Sequence, residues 1–154
     1  MEISRYMKRN VISIPATATI REAAGVVVKH HIGLLPVVEQ NRKLMGIVGL
    51  QDLLTLELPD FVSFIADVDF VHDFGAVENT RPAPDVLDRP VTALMRAAIS
   101  VPEETGLLRA YALMLQHKLH DMPVVSKDDE LVGVASRVDI GVAILSTWTK
   151  VNQT

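Results

Sequence analysis

The sequence contains no cysteine among its 154 residues, and only 5% of the residues are aromatic. The absence of cysteine excludes disulfides, thiolate metal centres and cysteine nucleophiles. A formal net charge of −4 provides no basic footprint for a phosphate backbone. No apolar run approaches the roughly 18–20 residues that span a bilayer, and the N-terminus lacks the apolar stretch of a signal peptide. We therefore expect a cytoplasmic protein that binds neither membranes nor nucleic acid.

The residues that are present indicate a folded globular chain. Apolar residues make up 49% and charged residues 22%, and the mean hydropathy is +0.26, which argues against bulk disorder. The sequence contains no Gly-rich phosphate-binding fingerprint, no Gly-x-Ser-x-Gly elbow and no recognisable nucleophile with its base. We therefore predict that the chain is not an enzyme.

An internal repeat is the most informative feature of the sequence. Residues 12–53 align with residues 99–140 at a constant offset of 87 without a gap, and eleven of the 42 pairs are identical. One copy of about 50 residues has too little core to fold alone. The two copies are therefore expected to share a face, related by a pseudo-two-fold axis with a cleft across it.

Each copy predicts the element order β-α-β-β-α. Thr19 and Glu22, three residues apart before an apolar periodic stretch, predict a capping box at the start of a helix. Leu107, Leu108 and Leu115 recur at helical spacing in the second copy. Paired apolar runs separated by a polar turn predict a β-hairpin in each copy. The predicted strands are residues 11–14, 36–38 and 44–48 in the first copy and residues 99–101, 123–125 and 131–135 in the second.

The predicted fold class is therefore α/β, with two β-α-β-β-α repeats and a partly helical insert. Repeat 1 covers residues 1–54 and repeat 2 covers residues 91–154. The insert, residues 55–90, is acidic and rich in Phe and Pro, and it contains all four phenylalanines. Its end, residues 79–90, holds three prolines and predicts an extended linker. Asp60 is predicted to cap a helix whose apolar stripe is Phe61, Phe64, Ile65 and Val68.

The repeat resembles the cystathionine-β-synthase (CBS) domain, and the tandem is similar to a CBS pair, or Bateman module. Residues 31–38 with 43–48 carry the likeness in the first copy, and residues 118–125 with 130–139 carry it in the second. The likeness covers about two-thirds of the chain and leaves out the insert. It implies a regulatory module that binds an adenine nucleotide (AMP, ADP or ATP) in the cleft, forms a flat homodimer and signals to an effector protein on another chain.

Ser136 and Asp139 form the candidate polar end of the ligand site. They follow a predicted buried strand at the start of a helix, where the pair is placed as a capping box. A hydroxyl and an arginine at a helix N-terminus favour phosphate binding. By the resemblance, Ser136 and Arg137 contact phosphate and Asp139 contacts ribose. In the alternative interpretation, Ser136 and Asp139 only cap the helix and Arg137 lies in solvent.

The first copy has lost part of this motif. Gly49 and Leu50 stand where the second copy has its hydroxyl and arginine, although Asp52 is retained. A phosphate there would lose one hydrogen bond and one charge, together on the order of a few kcal/mol. We therefore expect unequal sites, in which Asp52 either contacts a ribose or stabilises its own helix start.

The resemblance also implies an apolar slot for adenine, formed by the first strand of a copy and by the residues around the proline of its second strand. Residues of this kind are expected in the core in any case, so membership of the slot is left open. His120 and Asp121 precede that proline in the second copy and are placed by the resemblance to reach the cleft. The slot positions are Ile99, Ser100, Leu119, Met122 and Pro123 in the second copy and Ile12, Ser13, Ile32, Leu35 and Pro36 in the first.

Other interpretations receive less support from the residues. A ligand-free scaffold, in which the Phe-rich insert binds a partner protein, is the main alternative. Single-stranded nucleic acid in the adenine slot is disfavoured by the acidic insert. His117, His120 and Asp121 have the spacing of metal ligands, but no further His or Cys completes a set. We predict that the chain needs no metal and no cofactor besides its regulatory ligand.

Overall fold

The computed structural model describes residues 1–58 and 81–150. In these ranges the chain forms two sheets, each covered by helices, which confirms the predicted α/β class and the repeated architecture. The helix predicted after Asp60, together with the four phenylalanines, lies outside the described residues.

The first sheet has the strand order β1-β2-β3-β4. Strand β1 pairs in parallel with β2, and β2 pairs antiparallel with β3, so that the predicted hairpin is confirmed. The strands around the first proline are shorter than predicted, because only two residues of each form ladder pairs. The elements are β1 (Ile14–Pro15), α1 (Ile20–His30), β2 (Leu34–Val38), β3 (Leu44–Gly49), α2 (Leu50–Leu54), α3 (Pro84–Leu87) and β4 (Arg96–Ala97).

The second sheet repeats this arrangement with the strand order β5-β6-β7. Its parallel pair, β5 with β6, corresponds to β1 with β2, and its hairpin, β6 with β7, corresponds to β2 with β3. The position of β4 is taken by a single bridge between Lys8 and Val134. The elements are β5 (Val101–Pro102), α4 (Leu107–His117), β6 (Asp121–Val125), β7 (Leu131–Ser136) and α5 (Arg137–Thr149).

The two ends of helix α1 show how local residues fix where a helix begins and ends. The Thr19 hydroxyl oxygen accepts from the Glu22 amide at 3.1 Å, and the Glu22 carboxylate accepts from the Thr19 amide at 3.4 Å. The predicted capping box is therefore confirmed. The helix ends at His30, and His31 follows in the left-handed region with φ of 52°, which terminates the helix.

Helix α4 is also confirmed, but its buried face differs from a simple leucine stripe. Leu107, Ala110 and Met114 are buried, whereas Leu108 is 72% exposed and Leu115 is 53% exposed. The buried side therefore combines one leucine with a smaller residue and a more flexible one. Leu108 and Leu115 lie on the outer side of the helix, away from the core.

The segment that leads into each repeat packs against the other repeat; these two leader segments are residues 3–8 and 91–97. The Ile3 amide donates to the Thr105 carbonyl at 2.8 Å, and the side chain of Ile3 is fully buried in the second core. In the same way, the Val91 amide donates to the Ala18 carbonyl at 2.7 Å. The division at residues 1–54, 55–90 and 91–154 stays a prediction about the sequence, and the packing crosses it in both directions.

The predicted extended linker is wrong for part of its length. Residues Pro84–Leu87 form the short helix α3, with Pro84 in its first turn and Ala83 as N-cap. Proline fits this position because its fixed φ suits a helix start and its missing N–H has no intrahelical partner there. Asp88, at the end of this helix, accepts a hydrogen bond from Arg21 of α1 at 3.1 Å.

No helix among residues 1–58 and 81–150 is both long enough and apolar enough to cross a membrane.

Candidate functional site

Ser136 and Asp139 form the predicted capping box at the junction of β7 and α5. The Ser136 hydroxyl oxygen accepts from the Asp139 amide at 3.0 Å, and the Asp139 carboxylate accepts from the Ser136 amide at 3.2 Å. Both side chains are half-buried, and both line a cavity of about 270 Å³. Capping leaves these two groups able to meet a ligand, because the Ser136 hydroxyl can still donate its proton and the Asp139 carboxylate can accept further hydrogen bonds.

This cavity lies between the two repeats. Its apolar wall includes Ile12, Ile32 and Pro36 from the first repeat, and its polar wall includes Ser136 and Asp139 from the second. A volume of about 270 Å³ is near the lower end of small-molecule sites, which hold roughly 300–1,000 Å³. The other lining residues are Lys8, Asn10, Val11, His31, Gly33, Leu34, Asp121 and Val134.

The structure combines the predicted slot residues differently from the sequence expectation. The polar pair of the second repeat faces the apolar positions of the first repeat, not those of its own. Pro36 lines the cavity, whereas Leu35 and Met122 are completely buried in the two cores. Pro123 is buried as well, and Ile99 and Ser100 are half-buried, with Ile99 packed against the second core. None of these last three residues lines the described cavity.

Arg137 is not brought to this cavity. Its guanidinium Nε donates to the Leu119 carbonyl at 2.8 Å, and its backbone amide donates to the His120 carbonyl at 2.9 Å. The side chain instead lines an apolar groove between α4 and α5, together with Trp148. Of the two groups predicted to meet phosphate, only Ser136 is therefore at the cavity.

A second cavity of about 320 Å³ lies on the other side of the pseudo-two-fold axis. Asp52, expected either to contact a ribose or to stabilise its own helix start, is not among the residues that line it, and its carboxylate caps α2. Asp52 Oδ2 accepts from the Gly49 amide at 2.7 Å and from Arg96 Nε at 3.0 Å. The second cavity is lined instead by Gly33, Leu34, Leu50, Gln51, Leu54, Arg96, Lys118, Leu119, His120 and Asp121.

Arg96 lines this second cavity, and the sequence analysis did not identify it as a candidate. It lies on β4, which pairs with β3 and so holds the guanidinium beside Asp52. Its Nη2 is buried and has no hydrogen-bond partner among the residues that the structure describes. Lys8 forms a bridge to β7 that is equivalent to the pairing of Arg96 with β3. The sequence alone does not show this equivalence, because the leader segment of each repeat packs against the other repeat.

Asp121 is a titratable group of the site whose pKa is shifted by its surroundings. It begins β6, directly opposite Ser136 in the antiparallel ladder. Burial raises the pKa of the Asp121 carboxyl above its ordinary value, and nearby Asp139 adds to the rise, while His120 and Lys8 act in the opposite direction. Asp121 lines both cavities, so it stands in the wall between them.

No group of three or more potential metal ligands forms within residues 1–58 and 81–150. His117, His120 and Asp121 therefore do not assemble into a metal site there.

Comparison with known proteins adds the family. The profile of the CBS domain matches residues 3–58 and 87–146. The chain is 30% identical over 140 residues to the chloroplastic CBS domain-containing protein CBSX1 of Arabidopsis thaliana, covering 86% of this chain. It spans 58% of the length of that relative.

Solved structures agree with this match at the level of the fold. The crystal structure of Arabidopsis thaliana CBSX2 in complex with AMP superposes with a TM-score of 0.71 at 23% identity, covering 96% of this chain and 98% of that one. The CBS domain pair of protein MJ0100, in complex with 5′-methylthioadenosine and S-adenosylmethionine, superposes with a TM-score of 0.69 at 18% identity, covering 96% and 98%. Two matched CBS regions, two like sheets and a cleft between them lead to one conclusion: the chain belongs to the CBS domain family, as a tandem CBS pair.

Proposed function

We propose that this protein is a regulatory ligand-sensing module that binds an adenine nucleoside or nucleotide in the cavity between its CBS repeats. The observation that carries the proposal is the shared cavity, in which Ser136 and Asp139 of one repeat face the apolar wall of the other. An apolar slot beside a hydroxyl and a carboxylate suits a base attached to a ribose. Relatives of this fold, crystallised with AMP or with 5′-methylthioadenosine and S-adenosylmethionine, support the same ligand class.

The proposed mechanism is linkage between ligand and repeat arrangement. A ligand that touches Pro36 in one repeat and Ser136 in the other favours the arrangement in which both contacts are made. Its differential affinity for two arrangements sets the size of the switch. The signal then passes to an effector protein, and the role of the module is regulatory, without a catalytic step.

We also propose that a second copy of the chain covers the outer face of α4 and α5. After Asp139, helix α5 carries no charged residue up to Thr149, and it is apolar on both faces. Ile140 and Ala143 are buried against the core, while Val138 and Trp148 are 70% and 75% exposed on the outside. A helix that is apolar all round is normally buried all round. A two-fold contact of this face with itself buries the outer surface.

The ligand proposal is tested with two pairs of matched variants. Ser136→Ala and Asp139→Ala remove the two groups that line the cavity. Thr19→Ala and Glu22→Ala remove the same two capping interactions from the start of α1, and neither residue lines the two cavities of the cleft. Each variant is titrated with AMP by calorimetry, beside a thermal-shift panel of AMP, ADP, ATP and S-adenosylmethionine.

We expect all four variants to lose stability by about 1 kcal/mol, because each loses a helix cap. Only the Ser136 and Asp139 variants are expected to lose affinity, by tenfold or more. At a hundredfold excess over Kd, a true ligand adds about 2.7 kcal/mol to the stability of the wild-type protein. If no compound of the panel stabilises the wild-type protein, the ligand-free scaffold is the better description.

The dimer is tested separately by the molar mass in solution. Light scattering behind size-exclusion chromatography is expected to give twice 16.9 kDa for the wild-type protein. Trp148→Glu places a charge on the exposed face and is expected to give the monomer mass. Val28→Glu, on an exposed position of α1 (73% exposed), is the control that leaves the mass unchanged. A wild-type monomer contradicts the proposal.

A further inference from the structure

At Asp121 the two repeats differ by one charge within the cleft. The residue 87 positions earlier, at the start of β2, is Leu34. Both Leu34 and Asp121 line both cavities. The repeated scaffold therefore accepts an apolar residue at this place, and the carboxyl group of Asp121 is not required by the architecture.

The carboxylate of Asp121 has no hydrogen-bond or ion-pair partner among the described residues. Its backbone is satisfied by the ladder with β7, opposite Ser136. The side chain is half-buried, and this burial raises the pKa of the group. A half-buried carboxylate without a partner is costly unless something else supplies a donor or a positive charge.

Charged and titratable groups of both signs face Asp121. Asp139 on α5 lines the same cavity as a second carboxylate. Lys8 of the leader segment and His31 after α1 also line it, and His120 precedes Asp121 in the chain. Arg137, the cation nearest in sequence to Ser136, is turned away onto the Leu119 carbonyl.

We propose that Asp121 selects the charge of the ligand, favouring an adenine nucleoside with a neutral or cationic 5′ group over one with a phosphate. This inference rests on the proposed function, since it concerns the same cavity. Asp121 pairs with Ser136 across the ladder, so a 5′ group held by the Ser136 hydroxyl would lie close to the Asp121 side chain. A phosphate there meets a carboxylate, whereas an ammonium, a sulfonium or a hydroxyl offers it a charge or a donor.

The experiment compares adenosine with AMP, two probes that differ only in the 5′-phosphate. Dissociation constants of both are measured by calorimetry at low ionic strength, where charge effects are least screened. The variants are Asp121→Asn, which keeps the shape, and Asp121→Leu, which installs the residue of the first repeat. Asp128→Asn, on the exposed turn between β6 and β7, is the control for the same change in net charge. Circular dichroism verifies that each variant folds.

We expect the wild-type protein to bind adenosine more tightly than AMP. In Asp121→Asn and Asp121→Leu the ratio of the two dissociation constants shifts toward AMP by about tenfold, the size expected for unit charges several ångströms apart in a partly hydrated cleft. Asp128→Asn leaves the ratio unchanged. An unchanged ratio in the Asp121 variants, or an equal shift in Asp128→Asn, overturns the charge selection while the nucleoside site stands. If neither probe binds the wild-type protein, the proposed function and this inference fall together.

Discussion

Gly46 in β3 and Gly133 in β7 occupy equivalent positions in the two repeats. Because their surroundings differ, we predict different costs for replacing each of them by alanine. A Cβ on Gly133 would lie 2.8 Å from Met7 Cγ and 3.0 Å from Met7 Cε, and closer still to the sulfur. Non-bonded carbon atoms prefer about 3.5–4.0 Å, so the methyl group cannot fit unless Met7 moves. Neither glycine has a left-handed φ. The cost of alanine therefore comes from lack of space and not from the backbone conformation.

The two sites differ in whether the obstacle can move. At Gly133 all three nearest atoms belong to the flexible Met7 side chain. At Gly46 a Cβ would also lie 2.6 Å from the backbone carbonyl oxygen of Arg96, which β4 holds in place. Overpacking of this kind costs about 1–3 kcal/mol. We expect Gly133→Ala to cost about 2 kcal/mol and Gly46→Ala about 3 kcal/mol or more.

Double-mutant cycles measured by urea denaturation, followed by circular dichroism at 222 nm, test this reasoning. Met7→Ala is expected to recover most of the cost of Gly133→Ala, because it removes every obstructing atom. Met95→Ala is expected to recover little of the cost of Gly46→Ala, because the Arg96 carbonyl remains. Equal rescue at both sites, or no rescue at Gly133, refutes the packing of the first leader segment against β7. Gly25→Ala, which has open space around its Cβ, is the control and should stabilise α1 by about 0.5–1 kcal/mol.

Three further predictions follow from the caps, the charges and the ion pair. Thr19→Ala removes the acceptor of the Glu22 amide and should lower the free energy of unfolding by about 1 kcal/mol in urea; an unchanged value contradicts the capping box. Asp121→Asn should stabilise the protein at neutral pH, because the raised pKa of Asp121 means that ionisation opposes folding. That gain should shrink as the pH is lowered and vanish below the ordinary pKa of 3.8, where the group is protonated in both states; a gain that persists there rules out this cause. Arg96→Gln and Asp52→Asn should show a coupling of about 1 kcal/mol in a double-mutant cycle, since their 3.0 Å contact is only partly exposed; strictly additive losses contradict the pairing.

The helices, hairpins and caps could be predicted from the sequence because each depends on residues close along the chain. The capping box of Ser136 and Asp139 spans three residues, and the spacing alone places both groups at a helix start. The hairpins follow from two apolar runs separated by a short turn, and the structure confirms them in both copies. The helix α3 was missed because three nearby prolines indicate a linker, although one of them begins a helical turn.

Contacts across the molecule could not be predicted in this way. Arg96 and Asp52 are 44 residues apart, and no local pattern pairs them. The direction of the Arg137 side chain is set by its hydrogen bond to the carbonyl of Leu119, 18 residues earlier in the chain. The sequence therefore left Arg137 either at a phosphate or in solvent, and in the structure it lines the groove between α4 and α5.

The sequence by itself determined that this chain consists of two like units, and it identified the residues that carry the polar end of the candidate site. Only the tertiary structure decided which unit supplies the apolar wall, which leader segment covers which hairpin, and that Gly46 and Gly133 make room for Met95 and Met7. The physical reason is the repeat itself. Because the two units have nearly the same pattern of apolar and polar residues, a segment can pack against either of them by pattern alone, and the choice is made by the shape of the assembled core.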